Sequence, residues 1–254
     1  MPRRTSPASA AAPHAVRDAY HHGDLRAALI EATEALLAER GLEAFSLREV
    51  ARRSGVSPAA PAHHFGDSDG LLTAVATLAF EGLTAELRAG DARGGADPVA
   101  RLREQGVGYV GFALRYPGRF GLMFRTTVRK NEALLRSAQE AFGVLEGGVR
   151  ALYGLAEATP LSAAQWHTLL AVWSLVHGFA HLALAGQLAR LIEGEGAGRD
   201  PHATLLGRVL PGMLQQQLAP FAQRPTRKGP APPAPAPAPR PARKAARGAT
   251  SGSR

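Results

Sequence analysis

Ser46-Leu47-Arg48-Glu49-Val50-Ala51-Arg52-Arg53-Ser54-Gly55-Val56-Ser57-Pro58-Ala59-Ala60-Pro61-Ala62-His63-His64-Phe65 reads as two short helices and the turn between them. Ser46 is placed to cap the first helix, because a Ser oxygen accepts from a backbone N–H of the first turn. Glu49, three residues on, completes a capping box. Val50 and Ala51 face inward, and the helix ends near Arg53 or Ser54. Gly55 supplies the positive φ of a tight turn, and Val56 plugs the gap behind it. Ser57 reads as the cap of the second helix, with Pro58 at its first position, where a missing N–H costs nothing. Pro61 then removes only the first intrahelical bond and stiffens the rest of the helix. Two short helices around a Gly turn make a helix-turn-helix, whose second helix enters the major groove of DNA.

Outward from this motif the chain reads as helix throughout. Leu25, Leu29, Ala32 and Leu36 recur at three- and four-residue steps, and Gly41 ends that first helix. Asp67 caps a fourth helix carrying Leu71, Leu72, Val75, Leu78, Phe80 and Leu83. The Gly/Asp-rich stretch Gly90–Asp97 reads as a linker. Asp97-Pro98 opens a helix that runs to Tyr116, where Pro117 stops it, and a short turn Arg119–Phe124 comes next. Further helices are expected from about Asn131 to Leu155, Ser162 to Leu191 and His202 to Leu218. No stretch alternates as a strand would, so the expected fold is all-α. The domain plan is a flexible basic arm over 1–21, a helix-turn-helix domain over 22–83, a larger helical domain over 84–223 and a disordered Pro/Ala/Arg-rich tail over 224–254.

Composition narrows the function. The 254 residues include no cysteine, which removes disulfide frameworks, thiol nucleophiles and zinc fingers. No window approaches the ~20 apolar residues of a membrane span, and no apolar segment follows the amino-terminal arginines, so no membrane partner is expected and the expected location is cytoplasmic. The net charge of +9 belongs to the ends. Arg224 to Arg254 holds eight basic residues and no acidic one, while residues 23–223 are nearly neutral. The run Pro230–Pro241 cannot build a packed core. A basic tail of this kind raises affinity for nucleic acid through phosphate contacts, or is simply solvated.

Several spaced signals resemble one family. Gly23-Asp24-Leu25-Arg26, Arg40-Gly41-Leu42-Glu43-Ala44-Phe45-Ser46, Val50-Ala51, Gly55-Val56-Ser57 and His64-Phe65 before an Asp-containing helix start are similar to the TetR/AcrR family of transcriptional regulators. The resemblance runs over residues 22–83. Tyr116-Pro117-Gly118-Arg119-Phe120 and Trp173-Ser174-Leu175-Val176-His177-Gly178 resemble a subgroup with a Trp-x-x-x-His-Gly signature in its carboxyl-terminal domain. The family resemblance implies a ligand-responsive repressor that binds a near-palindromic double-stranded operator as a homodimer. Carried over, Ser46 and Arg48 would lie beside phosphates, and Ser57, Pro58, Ala59, Ala60, Ala62 and His63 along the base edges. The family usually has Tyr at the position of Ala62 and Lys at that of Ser68, so two phosphate contacts are lost. Few donors remain for bidentate base reading. Of the two histidines, adjacent in sequence and so on different faces, His64 is expected to pack inward and His63 to face DNA.

The larger domain should hold a small, apolar effector among aromatics and a few polar groups. Phe112, Tyr116, Phe120, Met123 and Phe124 cluster near Pro117, and Trp173 and His177 lie one turn apart; together these are the candidate effector contacts. The alternative is that this stripe is plain core. His177 and His181 have an i, i+4 spacing, but no Glu sits between them in a zinc-protease pattern and no third ligand is evident, so no metal or other cofactor is expected. No nucleophile elbow, phosphate loop or dinucleotide fingerprint is present, and no enzyme is expected. The competing function is architectural, non-specific DNA binding; an activator or an effector-independent regulator stands further off. A two-fold four-helix interface is expected from Trp166, Leu169, Leu170, Trp173, Val176 and Leu184 against Leu205, Val209 and Leu214. Helix 4, Asp69 to Arg88, is expected to be the one continuous element joining the two domains.

Overall fold

The computed structural model describes residues 14–125, 131–192 and 200–222, with side chains from Leu25 onward. These residues belong to one contact unit, Met1–Arg224. The expectations for residues 1–13 and for the tail 224–254 lie outside the described residues. Every described element is helical.

Helix α1 spans His14–Arg40 and so begins inside the stretch expected to be a flexible arm. A single 3₁₀ turn, Leu42–Ala44, leads to α2, Leu47–Arg53. Ser46 Oγ accepts from the Glu49 N–H at 3.2 Å, but the reciprocal half of the capping box is replaced. The Glu49 carboxylate turns instead to Arg52 and Arg53, at 2.8 and 3.0 Å. Arg53 also reaches Glu39 at 2.7 Å and ties α2 to α1. Val50 and Ala51 are buried, and Gly55 takes φ +67°.

The second helix of the motif, α3, spans Ala60–Phe65, two residues later than Ser57 and Pro58 suggest. The Ser57 carbonyl accepts from Ala60 N–H at 3.0 Å in a turn, and the first α-type bond runs from His63 to Ala59. The reason is Pro61. Its missing N–H is the one that would have bonded Ser57 and set the helix going from Pro58. Pro61 is also the buried side chain of α3.

Asp67 caps α4, Ser68–Arg93, by accepting from Gly70 N–H at 2.8 Å. This helix takes up the first four residues of the expected linker, Gly90 lying against the backbone of α5, Pro98–Arg115, and leaves 94–97 as the connection between the two helices. A Cβ on Gly90 would sit 2.4 Å from the Glu104 carbonyl oxygen, on Gly94 2.3 Å from Arg101 Cα, and on Gly108 2.7 Å from the Glu86 carbonyl oxygen. Only the absence of side chains lets α4 and α5 pack this closely. The stretch expected as a turn after Pro117 is α6, Pro117–Met123, since Pro at a first helical position starts a helix as readily as it stops one. Helix α7 is Glu132–Tyr153, capped by Asn131 and closed by Gly154 at φ +64°.

Helix α8, Ala163–Leu184, ends where Gly186 turns at φ +70°, and α9, Gln187–Ile192, comes after it; the expected unbroken helix to Leu191 is two. The last segment runs as α10, Pro201–Thr204, a π turn at Leu205–Val209, and α11, Leu210–Ala222. Leu205, Leu210, Leu214 and Leu218 seal it onto the core.

Helix α4 is the hub, packing most extensively on α5 and α7. It is not the sole link between the two halves, because α6 packs on α1 as well. Arg119 of α6 bonds Glu34 of α1 at 2.7 Å, and a Cβ on Gly118 would meet Ala38 N at 2.8 Å. Helices α4 and α8 are each long and apolar enough to cross a membrane, contrary to the composition reading. In α4 the apolar residues are hub contacts, with half of the window buried; α8 has a second apolar face outside the core.

Candidate nucleic-acid interface and interior cavity

The face presented by α2 and α3 is built from short elements locked from behind. Val50 and Pro61 are buried, Phe65 is half-buried under the Arg26 guanidinium, 5.3 Å from its ring centre, and Ser54 Oγ donates to the Ala28 carbonyl at 3.4 Å. In front, Ser46, Arg48, Ser57, Pro58, Ala59, Ala62 and His63 are exposed. Ala60 is half-buried, as is His64, while His63 is exposed. Arg48 has no carboxylate partner among the described residues, whereas Arg52 and Arg53 are both engaged by Glu49. Those two hydrogen-bonded guanidiniums hold the Glu49 carboxyl down at about 2, below its ordinary 4.5. The arrangement leaves Arg48 as the cation of α2 available to an outside anion. Ser46, Arg48 and Pro58 share one shallow recess between α2 and the turn that leads into α3.

The larger half holds a partly open cavity of about 220 Å³. Phe80, Leu83 and Leu87 of α4 form one wall, Leu102, Gln105, Gly106 and Tyr109 of α5 a second, Ala138, Ala141, Phe142 and Leu145 of α7 a third, and Val172, Trp173 and Val176 of α8 a fourth, with Phe124 at the end of α6. Of the expected effector contacts, Phe124 and Trp173 line it. Phe120, fully buried, stands behind the wall, its ring centre 5.7 Å from those of Tyr109 and His177. Phe112 packs on Tyr116 at 5.3 Å and toward Gly82 of α4, away from the cavity. Met123 is buried and Tyr116 lies under Arg119; neither lines the cavity. His177 is one layer back, bonded through Nδ1 to the Tyr109 hydroxyl at 2.8 Å.

Sequence reasoning missed the α5 and α7 walls. Gln105 and Tyr109 are i, i+4 partners, a signal available from spacing but buried in a helix read as ordinary core. Burial pushes the Tyr109 phenol well above its ordinary range, partly offset by the Trp173 side chain, so it is neutral. Burial, with the neighbouring His181 adding to it, lowers the His177 imidazole. No group of three or more potential metal ligands occurs among the described residues. A cavity this apolar, with neutral polar groups at its edge, suits an uncharged molecule rather than an ion.

Two family models match this architecture. Residues 29–75 match the model described as bacterial regulatory proteins, tetR family, and residues 102–196 match the one described as tetracyclin repressor-like, C-terminal domain; together they span more than half of the chain. This chain, whose described elements are all helical, belongs to the TetR family of bacterial regulatory proteins. Among curated proteins, the HTH-type transcriptional regulator BetI of Burkholderia thailandensis is 40% identical over 78 residues, 31% of this chain and 40% of that protein. BetI of Burkholderia ambifaria is 38% identical over the same length. The chain thus matches less than half the length of these relatives. Among solved structures, a protein with unknown function from Rhodococcus sp. RHA1 superposes with a TM-score of 0.63 at 28% identity, over 80% of this chain and 98% of that one. The TetR family regulator PfmR from Thermus thermophilus superposes at 0.55 and 21% identity, over 75% and 93%, a likeness of fold.

Proposed function

We propose that the chain is a cytoplasmic one-component transcriptional repressor. It binds a near-palindromic operator as a homodimer and leaves it when a small apolar effector fills the cavity. The observation that carries this reading is the coexistence, in one contact unit, of an exposed α2–α3 face with Arg48 uncommitted and an apolar cavity walled by α4 and Phe124. The wall of the cavity and the seat of the DNA-facing helices are therefore parts of the same elements. The amino end of α4 carries α3, while its middle lines the cavity; α6 ends in Phe124 and packs on α1. A ligand that binds one arrangement of α4 and α6 better than the other shifts the protomer between them, and operator DNA must oppose it by the same factor.

The subgroup suggested by Trp173 to Gly178 belongs to this proposal too, with Trp173 as the signature residue that touches the cavity. Two members of the signature, His177 and Gly178, are outside its lining. Homodimerisation is supported by apolar residues that the protomer leaves uncovered. Trp166, Leu170 and Leu184 of α8 are 40%, 45% and 36% exposed on one stripe, with Leu182 and Met213 also exposed. Leu169, Val176, Leu205 and Leu214, expected in that interface, are buried in the protomer's own core.

The test is selection of bound fragments from the organism's own genome, followed by titration of a selected fragment and a random duplex over a salt series. A regulator retains a gap of several kcal/mol, about 4–10 at physiological salt, between the two. Equal affinity at every salt concentration overturns the reading in favour of an architectural DNA-binding protein.

A further inference from the structure

The walls of the cavity differ in exposure. Every lining residue from α4 and α5 is buried, whereas Phe124 at the end of α6, Ala138, Phe142 and Leu145 of α7 and Trp173 of α8 all keep surface. The open side therefore lies where α7 and α8 approach, and these two helices pack on each other far less than α7 packs on α4. Its rim is apolar. Phe124 is 42% exposed, Leu135, one turn before Ala138 on α7, 47%, and Trp166 and Leu170 of α8 40% and 45%. Trp166 stacks on Phe142 with ring centres 6.3 Å apart, and Phe142 meets Trp173 at 6.2 Å. Leu170 sits one turn from both tryptophans on the same helix. The uncovered stripe of α8 thus continues directly into the cavity wall. Large apolar side chains gathered around one opening cost free energy in water until something covers them.

We propose that the ligand site is incomplete in one protomer, and that a second copy of this chain, seated on Trp166 and Leu170, closes the mouth over an uncharged apolar ligand. This rests on the reading of the cavity as the effector site. The occupant is a second copy because of the composition of α8. Its 22 residues include no Asp, Glu, Lys or Arg. A two-fold contact sets a surface against itself, so a stripe without formal charge meets no repulsion from its own copy. Closure excludes water from the open wall, so ligand and partner each strengthen the binding of the other. An effector held in this way tightens the dimer while it lowers operator affinity. Release from DNA is then a change in the spacing of the two reading helices, with the dimer intact.

The experiment uses the full chain and N-phenyl-1-naphthylamine, an uncharged dye that brightens in apolar surroundings. Dye affinity is measured while the wild type is diluted through its dimer dissociation, followed by sedimentation, and again for Leu170→Glu. Wild-type dimer should bind the dye about tenfold more tightly than diluted protomer or the variant, and saturating dye should lower the concentration of half-dimerisation by at least that factor. The dilution series needs no variant, so it carries the comparison if Leu170→Glu fails to fold or if its new charge disturbs the mouth. Equal dye affinity in protomer and dimer overturns closure by the partner and leaves ligand binding by the cavity standing. A folded Leu170→Glu that stays dimeric overturns the placement of the second copy. Ala138→Phe, which narrows the cavity from its half-buried wall, should lose the dye. Full binding by that variant, or none by the wild-type dimer, overturns the cavity as a site for such molecules, and the proposal with it.

Discussion

Arg53 holds Glu39 of α1 and Glu49 of its own helix, and Glu49 holds Arg52 in turn, so one carboxylate joins both guanidiniums at the back of the DNA-facing element. The Glu49 carboxyl sits at about 2 against an ordinary 4.5. Because the folded value is the lower one, the stabilisation is fully present above pH 4.5 and is lost as pH falls toward about 2. Glu49→Gln should flatten the melting temperature of the chain across that interval relative to wild type, a comparison that thermal melts at stepped pH supply. His177 has the same sign near neutrality, since burial favours its neutral form. Arg48 is the counter-example, a cation that no carboxylate among the described residues claims. Arg48→Ala should weaken operator and random DNA alike and reduce the slope of log affinity against log salt by about one. An unchanged slope would show that Arg48 does not meet phosphate.

At the scale of the element, the sequence was most legible where a cap or a glycine marks an end. Asp67, Asp97 and Asn131 open α4, α5 and α7 as read. It was least legible where a residue type has two uses. Gly90 read as linker because Gly breaks helices in isolation, yet here it is what permits helix contact, visible only once α5 is beside α4. Ser57 and Pro58 have the makings of a helix start, but Pro61 removes the bond that would have begun it. The aromatic stripe showed which residues were apolar without showing which side of α5 faced the cavity, so Phe112 was expected there and Tyr109 was not. Gly90→Ala should drive a methyl into the Glu104 carbonyl and destabilise the chain by about 1–3 kcal/mol, as overpacking does. Chemical denaturation reads this directly, and a neutral result would mean that α4 and α5 can separate without cost.

For the whole molecule, family membership and the proposed dimer bear on each other. The helix-turn-helix of one protomer can meet only one half of a two-fold operator, so the uncovered stripe of α8 is where a second copy has reason to bind. Leu170→Glu places a charge at a residue that is 45% exposed and outside the core, so the protomer should keep its helix content and melting cooperativity. Sedimentation should show this variant as a monomer at concentrations where the wild type is a dimer, and operator affinity should fall with it. A wild-type monomer at micromolar concentration would remove the interface.

The fastening of α3 through Pro61 has a consequence for the nucleic acid itself. If α3 enters the groove as proposed, the surface that it and its cap Ala59 would offer there, with Ala60 and Ala62 beside it and the proline turned inward, is methyl groups and one exposed imidazole. Such a surface tells thymine from the other bases by its C5-methyl and says little else. Discrimination then shifts to the duplex, to the stiffness of each base step and the width its minor groove adopts when two protomers clamp it. The operator of this protein should be recognisable less by fixed letters under α3 than by how willingly the base pairs between the half-sites bend.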